Sequence, residues 1–68
     1  MDDETFGKDV RAFLKKVGIT SQRELEEAVR QRVDDGRLQG NETLSARVVL
    51  RVPDLDLEVE VDGDLRLE

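Results

Sequence analysis

The apolar positions of the first third of the chain recur with the period of an α-helix. Five of them share one stripe of a 3.6-residue helix: Phe6, Val10, Phe13, Leu14 and Val17. Acidic residues precede this stripe, and Lys15 and Lys16 occupy its last turn, an order that the helix dipole favours. Gly18 follows at once, where a left-handed residue commonly ends a helix. The pattern predicts a first helix over about residues 3–17.

A second helical pattern begins a few residues later. Ser21 and Glu24 have the spacing of a capping box, in which each side chain hydrogen-bonds a backbone N–H of the other residue. The apolar positions that follow are Leu25, Ala28, Val29 and Val33. Gly36 comes where the periodic pattern stops, which is typical of a helix end. A second helix is therefore predicted over about residues 21–35.

After residue 42 the period of the apolar positions changes from 3.6 to 2. Apolar and polar side chains alternate over about residues 43–52 and again over about 55–61. Such alternation is typical of strands with one buried face. Pro53 and Asp54 suit a two-residue turn, because proline presets the backbone angle that the first central position needs. The pattern predicts an antiparallel hairpin.

The predicted turn implies a register for this hairpin. It places apolar side chains opposite one another on one face, with Val48 opposite Val59. On the other face Arg51 opposes Asp56 and Arg47 opposes Glu60, and opposite charges in this position stabilise a sheet. A slip of one residue would reverse both faces.

A further turn is predicted at residues 62–64. Asp62 and Gly63 are typical hairpin-loop residues, and a three-residue connection keeps Leu65 on the apolar face. A short third strand is therefore expected over about residues 65–67. The complete prediction is a single small α+β domain over residues 1–68, in which two helices pack on a three-stranded antiparallel meander.

The residue inventory restricts the chemistry. The chain has no Cys, His, Tyr or Trp, so disulfides and thiolate or imidazole metal sites are impossible. The usual acid–base and nucleophile sets are also missing. The acidic hairpin lacks the EF-hand loop pattern, and its Asp-Gly-Asp segment is explained by turn formation. We expect no catalytic activity, no metal site and no cofactor.

Charge and hydropathy suggest where the protein acts. Charged residues make up 41% of the chain and the net charge is −6, which favours solubility and disfavours non-specific binding to nucleic acid. The longest apolar run is "VVL", and the start of the chain is acidic, unlike a secretory signal. We expect a cytoplasmic protein without membrane association.

Residues 4–45 carry a recognisable pattern. The stretch "ETFGKDVRAFLKKVGITSQRELEEAVR", and within it "FLKKVGITSQRE", is followed by "GNETL". In these motifs the chain resembles a family of small bacterial proteins of unknown function. The resemblance implies a bacterial cytoplasmic origin and brings no activity, cofactor or functional residue.

The favoured functional prediction is a non-catalytic module that binds a protein or itself. A chain this short forms a marginal core, and association with another chain is a common remedy. The strand over 43–52 offers an open sheet edge. On its outer face Val49 is an apolar residue between Arg47 and Arg51, so these three are the candidate interaction residues. The sequence leaves a homodimer and a monomer equally open.

Residues 18–31 support an alternative interpretation. Two helices with a short glycine-containing turn, followed by a hairpin, resemble a winged-helix nucleic-acid-binding protein. In that interpretation Gln22 and Arg23 approach the bases, and Lys15 and Arg11 contact phosphates. The hairpin is acidic, however, and would face the phosphate charges of the duplex. Nucleic acid is therefore the less favoured partner.

Overall fold

The computed structural model describes residues 1–68, which form one long helix and one hairpin. The helix α1 spans Asp3–Asp34, and the strands β1 (Thr43–Val52) and β2 (Leu57–Arg66) flank a single 3-10 turn at Pro53–Leu55. The chain divides into two compact units, Met1–Arg37 and Leu38–Glu68. The α+β class is confirmed. The two helices over 3–17 and 21–35 and the three-stranded meander over 43–52, 55–61 and 65–67 are wrong.

Both ends of α1 have local caps. At the start, the Asp2 carboxylate accepts hydrogen bonds from the Thr5 N–H at 3.1 Å and from the Thr5 hydroxyl at 2.9 Å. These bonds hold the pKa of Asp2 below its ordinary value. At the other end, Gly36 has φ of 84° and donates to the Val33 carbonyl at 3.2 Å. The single helix thus begins near the predicted start of the first helix and ends near the predicted end of the second.

The helix continues through the segment where a break was predicted, so Gly18 is not a helix end and Ser21 is not a cap. A glycine inside a helix costs up to about 1 kcal/mol relative to alanine. A break would leave four N–H and four C=O groups without intrahelical partners, and each backbone hydrogen bond contributes about 0.5–1.5 kcal/mol. Because no proline interrupts the segment, the continuous helix is the less costly arrangement.

Continuity joins the two predicted apolar patterns into one surface, here called the helix stripe. Successive residues are about 100° apart around a helix, so positions separated alternately by four, four and three residues remain on one side. The helix stripe consists of Phe6, Val10, Leu14, Val17, Ser21, Leu25 and Ala28. Ser21 thus occupies a position within an apolar surface, whereas Ile19 lies on the opposite side of α1.

Replacing Gly18 by alanine tests whether the helix is continuous. We expect Gly18→Ala to raise the free energy of unfolding by about 0.5–1 kcal/mol, because alanine has the better helix propensity. A Cβ at this position meets no atom within 4 Å. The control is Gly36→Ala, which should lower stability because the backbone there has a positive φ. Denaturant unfolding followed by circular dichroism measures both, and a destabilised Gly18→Ala would indicate a helix end at Gly18.

The hairpin has a longer connection than predicted. Val52 lies opposite Leu57, so four residues, 53–56, join the strands and the two-residue turn is wrong. Pro53–Leu55 form the 3-10 turn, and Asp56 then adopts the left-handed conformation with φ of 49°, which aspartate tolerates better than most residues. The Asp56 N–H donates to the Pro53 carbonyl at 3.1 Å. The resulting register shift of two residues leaves the side chains of the paired residues on their predicted faces. Leu55 and Asp56, predicted to lie in the second strand, belong to the connection instead.

The predicted third strand is the continuation of β2. Gly63 lies opposite Ala46 inside the ladder, and Leu65 lies opposite Leu44. A straight strand keeps Leu65 on the face of Val61 just as a three-residue turn would, because the two positions differ by an even number. The straight strand also pairs the backbone of residues 43–47, which a turn at 62–64 would leave without partners from β2.

Candidate interaction surfaces

The helix stripe is largely accessible to solvent. Leu14 is 52% exposed and Leu25 is 42% exposed, while Val17 and Ala28 are half-buried. The hairpin also has an apolar surface, here called the sheet face, to which both strands contribute alternate residues. It consists of Leu44, Ala46, Val48, Leu50, Val52, Leu57, Val59, Val61 and Leu65. Near its centre Val48 is 48% exposed and Val61 is 60% exposed.

The opposite face of the hairpin carries a ladder of ion pairs. Arg47 Nε lies 2.6 Å from Asp62 Oδ1, and Arg51 Nε lies 2.6 Å from Glu58 Oε1. The predicted pairing of Arg51 with Asp56 is wrong because of the longer connection. Arg47 does approach Glu60, with Nη1 at 3.6 Å from Oε2, although the two residues are not directly opposite. Exposed pairs of this kind contribute about 0–1 kcal/mol each.

Val49 lies within this charged ladder, as the sequence placed it. It is opposite Glu60 and 42% exposed. The structure therefore brings Arg47, Val49 and Arg51 together on the outer face of β1, and their role as contact residues stays a prediction. Sequence reasoning missed Asp62 and Glu58 as the closest partners of the two arginines. Alternation along β2 places both acids on the charged face. Which of them lies opposite which arginine depends on the length of the connection between the strands.

The backbone of β1 has one paired side and one open side. The Leu67 N–H donates to the Glu42 carbonyl at 3.0 Å, and in an antiparallel ladder such directly opposed bonding pairs recur at every second residue. The even-numbered residues of β1 therefore bond to β2. The N–H and C=O groups of the odd-numbered residues point away from β2, and no hydrogen bond within the chain satisfies them. These residues are Thr43, Ser45, Arg47, Val49 and Arg51.

The residues of the nucleic-acid interpretation lie on a continuous helix. Arg11, Lys15 and Gln22 share one side of α1, and Arg23 is about 100° further round. No turn interrupts residues 18–31, so the helix-turn-helix geometry is wrong. Gln22 and Arg23 lie on an open, shallow surface of α1. Its other residues are Ile19, the acids Glu26 and Glu27, and the base Arg30. Contact of Arg11, Lys15, Gln22 and Arg23 with nucleic acid therefore stays a prediction. The mixed charge of this surface gives it no further support.

Glu42 organises the segment before β1, a role that no sequence motif indicated. Its carboxylate accepts backbone N–H bonds from Gln39 at 2.8 Å, Gly40 at 3.0 Å and Asn41 at 3.2 Å. The bond from Gln39 is the largest cause of a pKa below the ordinary value for Glu42. Because the pKa is depressed in the folded chain, this stabilisation is present above the unfolded-state pKa and is lost as the pH falls through the folded-state value.

The structure contains neither a cluster of metal ligands nor a helix that could span a membrane. No three or more acidic side chains are grouped so that they could hold a metal ion. The helix α1, although long, does not contain the apolar stretch that crossing a membrane requires.

The fold and its surfaces define a class of protein: a small helix–hairpin α+β protein with exposed apolar faces on both parts. The model of a family of unknown function, DUF6494, matches residues 1–68, and the chain belongs to that family. The resemblance to a family without assigned function is thereby confirmed. Among curated proteins and solved structures, none matches the chain.

Proposed function

We propose that this protein is a non-catalytic interaction module whose apolar faces are covered by another polypeptide chain. One observation carries the proposal. No side chain of the chain is buried, and the large hydrophobic residues exposed by more than a third include members of both the helix stripe and the sheet face. Because neither the helix nor the hairpin has a buried side chain, the apolar residues of each need a further surface against which they can be buried.

The magnitudes support this need. Complete burial of one large aliphatic or aromatic side chain contributes about 1.5–3 kcal/mol, and the whole stability of a small domain is only about 5–15 kcal/mol. An isolated two-stranded hairpin is marginal in water, and a helix in a protein depends mainly on packing of its apolar side. Covering a few residues of each face therefore supplies enough free energy to decide whether the chain stays folded.

The ionisable groups support a non-catalytic role. The carboxylates with a lowered pKa are those of Asp2, Asp35 and Glu42. Each accepts hydrogen bonds at a helix end or in the segment before β1, where it stabilises local backbone. Their perturbation is explained by these structural bonds, and the chain offers no histidine or cysteine to act with them.

Measuring mass and apolar exposure together tests the proposal. Across a concentration series by sedimentation, we expect either a species heavier than the 7.7 kDa chain or a monomer that binds an apolar fluorescent dye strongly. Both outcomes follow if the apolar faces are not covered within one chain. A monomer at every concentration that unfolds cooperatively and binds no dye would contradict the proposal, because its faces would then be covered internally.

A further inference from the structure

We propose that the partner of the hairpin is a second copy of this chain, bound through antiparallel pairing of the two β1 edges. The two hairpins then form one four-stranded sheet in the order β2, β1, partner β1, partner β2. This inference rests on the proposed function and names the partner for one of its surfaces. A two-fold axis perpendicular to the sheet passes between the two β1 strands.

The hydrogen-bonding groups of β1 suit this pairing. Its outward N–H and C=O groups belong to the odd-numbered residues from Thr43 to Arg51, and none has a partner within the chain. No proline or acidic side chain occurs within the ten residues of β1. Proline and charged side chains are the usual means by which an edge strand resists pairing. The β1 edge therefore has neither a proline nor a carboxylate to oppose pairing, and its two charged side chains, Arg47 and Arg51, are already paired with carboxylates of β2.

The charges select β1 over β2 as the self-pairing edge. The outward-facing residues of β2 are mostly acidic: Glu58, Glu60, Asp62, Asp64 and Arg66. Pairing β2 with a second β2 would place carboxylates opposite carboxylates, which destabilises a sheet. On β1 the only charges are Arg47 and Arg51, and carboxylates of the same hairpin already pair with both.

The side chains also select one register. The odd-numbered residues must face odd-numbered residues, because only these have free backbone groups. If Arg47 faces the partner's Arg47, or Arg47 faces the partner's Arg51, like charges are directly opposed. Among the registers that avoid this, the one that places Val48 opposite the partner's Val48 pairs the greatest length of β1. Arg47 then faces the partner's Val49, and its aliphatic stem can cover that valine.

This register accounts for two features of the hairpin. Val49, exposed among charges in the isolated chain, gains an aliphatic neighbour from the second copy. On the other face, Leu50 comes opposite the partner's Ala46, so both sheet faces join into one apolar surface. A larger surface of this kind can bury more area than a single two-stranded hairpin can.

Single cysteine variants test the register, because the natural chain has no cysteine. Val48 and the partner's Val48 form a non-hydrogen-bonded pair with a Cα separation of about 4.5 Å, within the range that a disulfide spans. We expect Val48→Cys to form a covalent dimer under mild oxidation. The matched control is Leu50→Cys, whose two copies lie four residues out of register, about 13 Å apart, and should remain uncrosslinked.

Proline variants test the edge. Val49→Pro removes an outward N–H of β1 without removing a bond to β2. Glu60→Pro makes the matching change on the outer edge of β2, at the residue opposite Val49. By sedimentation equilibrium we expect the wild type and Glu60→Pro to be dimers at a concentration where Val49→Pro has the mass of one chain. Circular dichroism of both variants reports whether the hairpin stays folded.

Each other outcome overturns a defined part of the argument. A dimer in which Leu50→Cys crosslinks as fast as Val48→Cys, or in which both proline variants have the same mass, would overturn the β1 pairing and leave the proposed function standing. Species that grow beyond the dimer would indicate head-to-tail pairing of β1 with a partner β2 instead. A wild-type monomer that still binds an apolar dye would replace the second copy by a different protein, whereas a dye-free folded monomer would contradict the proposed function as well.

Discussion

Val17→Asp is expected to destabilise the protein strongly. Val17 is half-buried at the middle of the helix stripe, between Leu14 and Ser21. A carboxylate there removes the burial free energy of the valine and must remain hydrated, so covering the stripe becomes unfavourable. We expect a loss of about 2–3 kcal/mol in the free energy of unfolding, a large share of what a domain of this size has. Thermal unfolding followed by circular dichroism at a fixed chain concentration measures the loss.

The control for this prediction lies two residues further on. Ile19 is also β-branched and also inside α1, but it is about 160° away around the helix and 49% exposed. Ile19→Asp changes helix propensity by a similar amount without touching the stripe. Its unfolding midpoint should stay close to that of the wild type. Equal losses in the two variants would mean that the helix stripe is not covered in the folded protein.

Leu50→Ser is the second substitution with a large expected effect. Leu50 lies on the sheet face opposite Val59 and is half-buried. Its replacement by a small polar side chain should cost about 2 kcal/mol, since most of its contribution comes from burial of the aliphatic group. Denaturant titration gives the difference in unfolding free energy.

The neighbouring residue supplies the comparison. Val49→Ser makes a similar polar replacement on the opposite face of the same strand, where Val49 is 42% exposed. A change of about 0.5 kcal/mol or less is expected, because the main loss there is strand propensity. If Val49→Ser proved the more damaging of the two, the ion-pair face of the hairpin would be the one that is covered.

The helix shows how far periodicity alone can go. The positions of Phe6 and Val10 predict a helical stripe, and those of Leu25 and Ala28 predict another. Whether the two belong to one helix depends on a competition near Gly18 between a helix-breaking tendency of about 1 kcal/mol and the backbone bonds that a break would remove. The capping motif at Ser21 and Glu24 is compatible with a helix that starts there, but its presence in the sequence does not require the backbone to leave the helical conformation at Ser21.

The hairpin illustrates a different limit. Alternation of polar and apolar residues assigns each side chain to a face, and for the residues that are paired the assignments agree with the observed pairing, whereas Leu55 and Asp56 lie in the connection. It does not distinguish registers that differ by two residues, because the period is two. The left-handed Asp56 and the 3-10 turn at Pro53 decide the actual register, and with it the partners of Arg47 and Arg51.

The sequence places the candidate interaction residues together on one face, but it does not predict which acidic residues pair with the two arginines. Arg47, Val49 and Arg51 share the outer face of β1, as alternate residues of a strand must. Asp62 and Glu58 emerge as their acidic neighbours only when the register is known. Glu42 was missed altogether, since its role depends on the conformation of the three residues before it.

The sequence by itself determined the α+β class, the helical and strand periods, the faces on which side chains lie and the absence of cysteine and histidine chemistry. These follow from local spacing and composition, which do not depend on distant contacts. Only the tertiary structure decided that α1 is unbroken, that the hairpin connection has four residues and that β2 continues through Gly63. Each of these choices lies between arrangements that satisfy the same local pattern. Backbone hydrogen bonds across the whole element therefore decide between them.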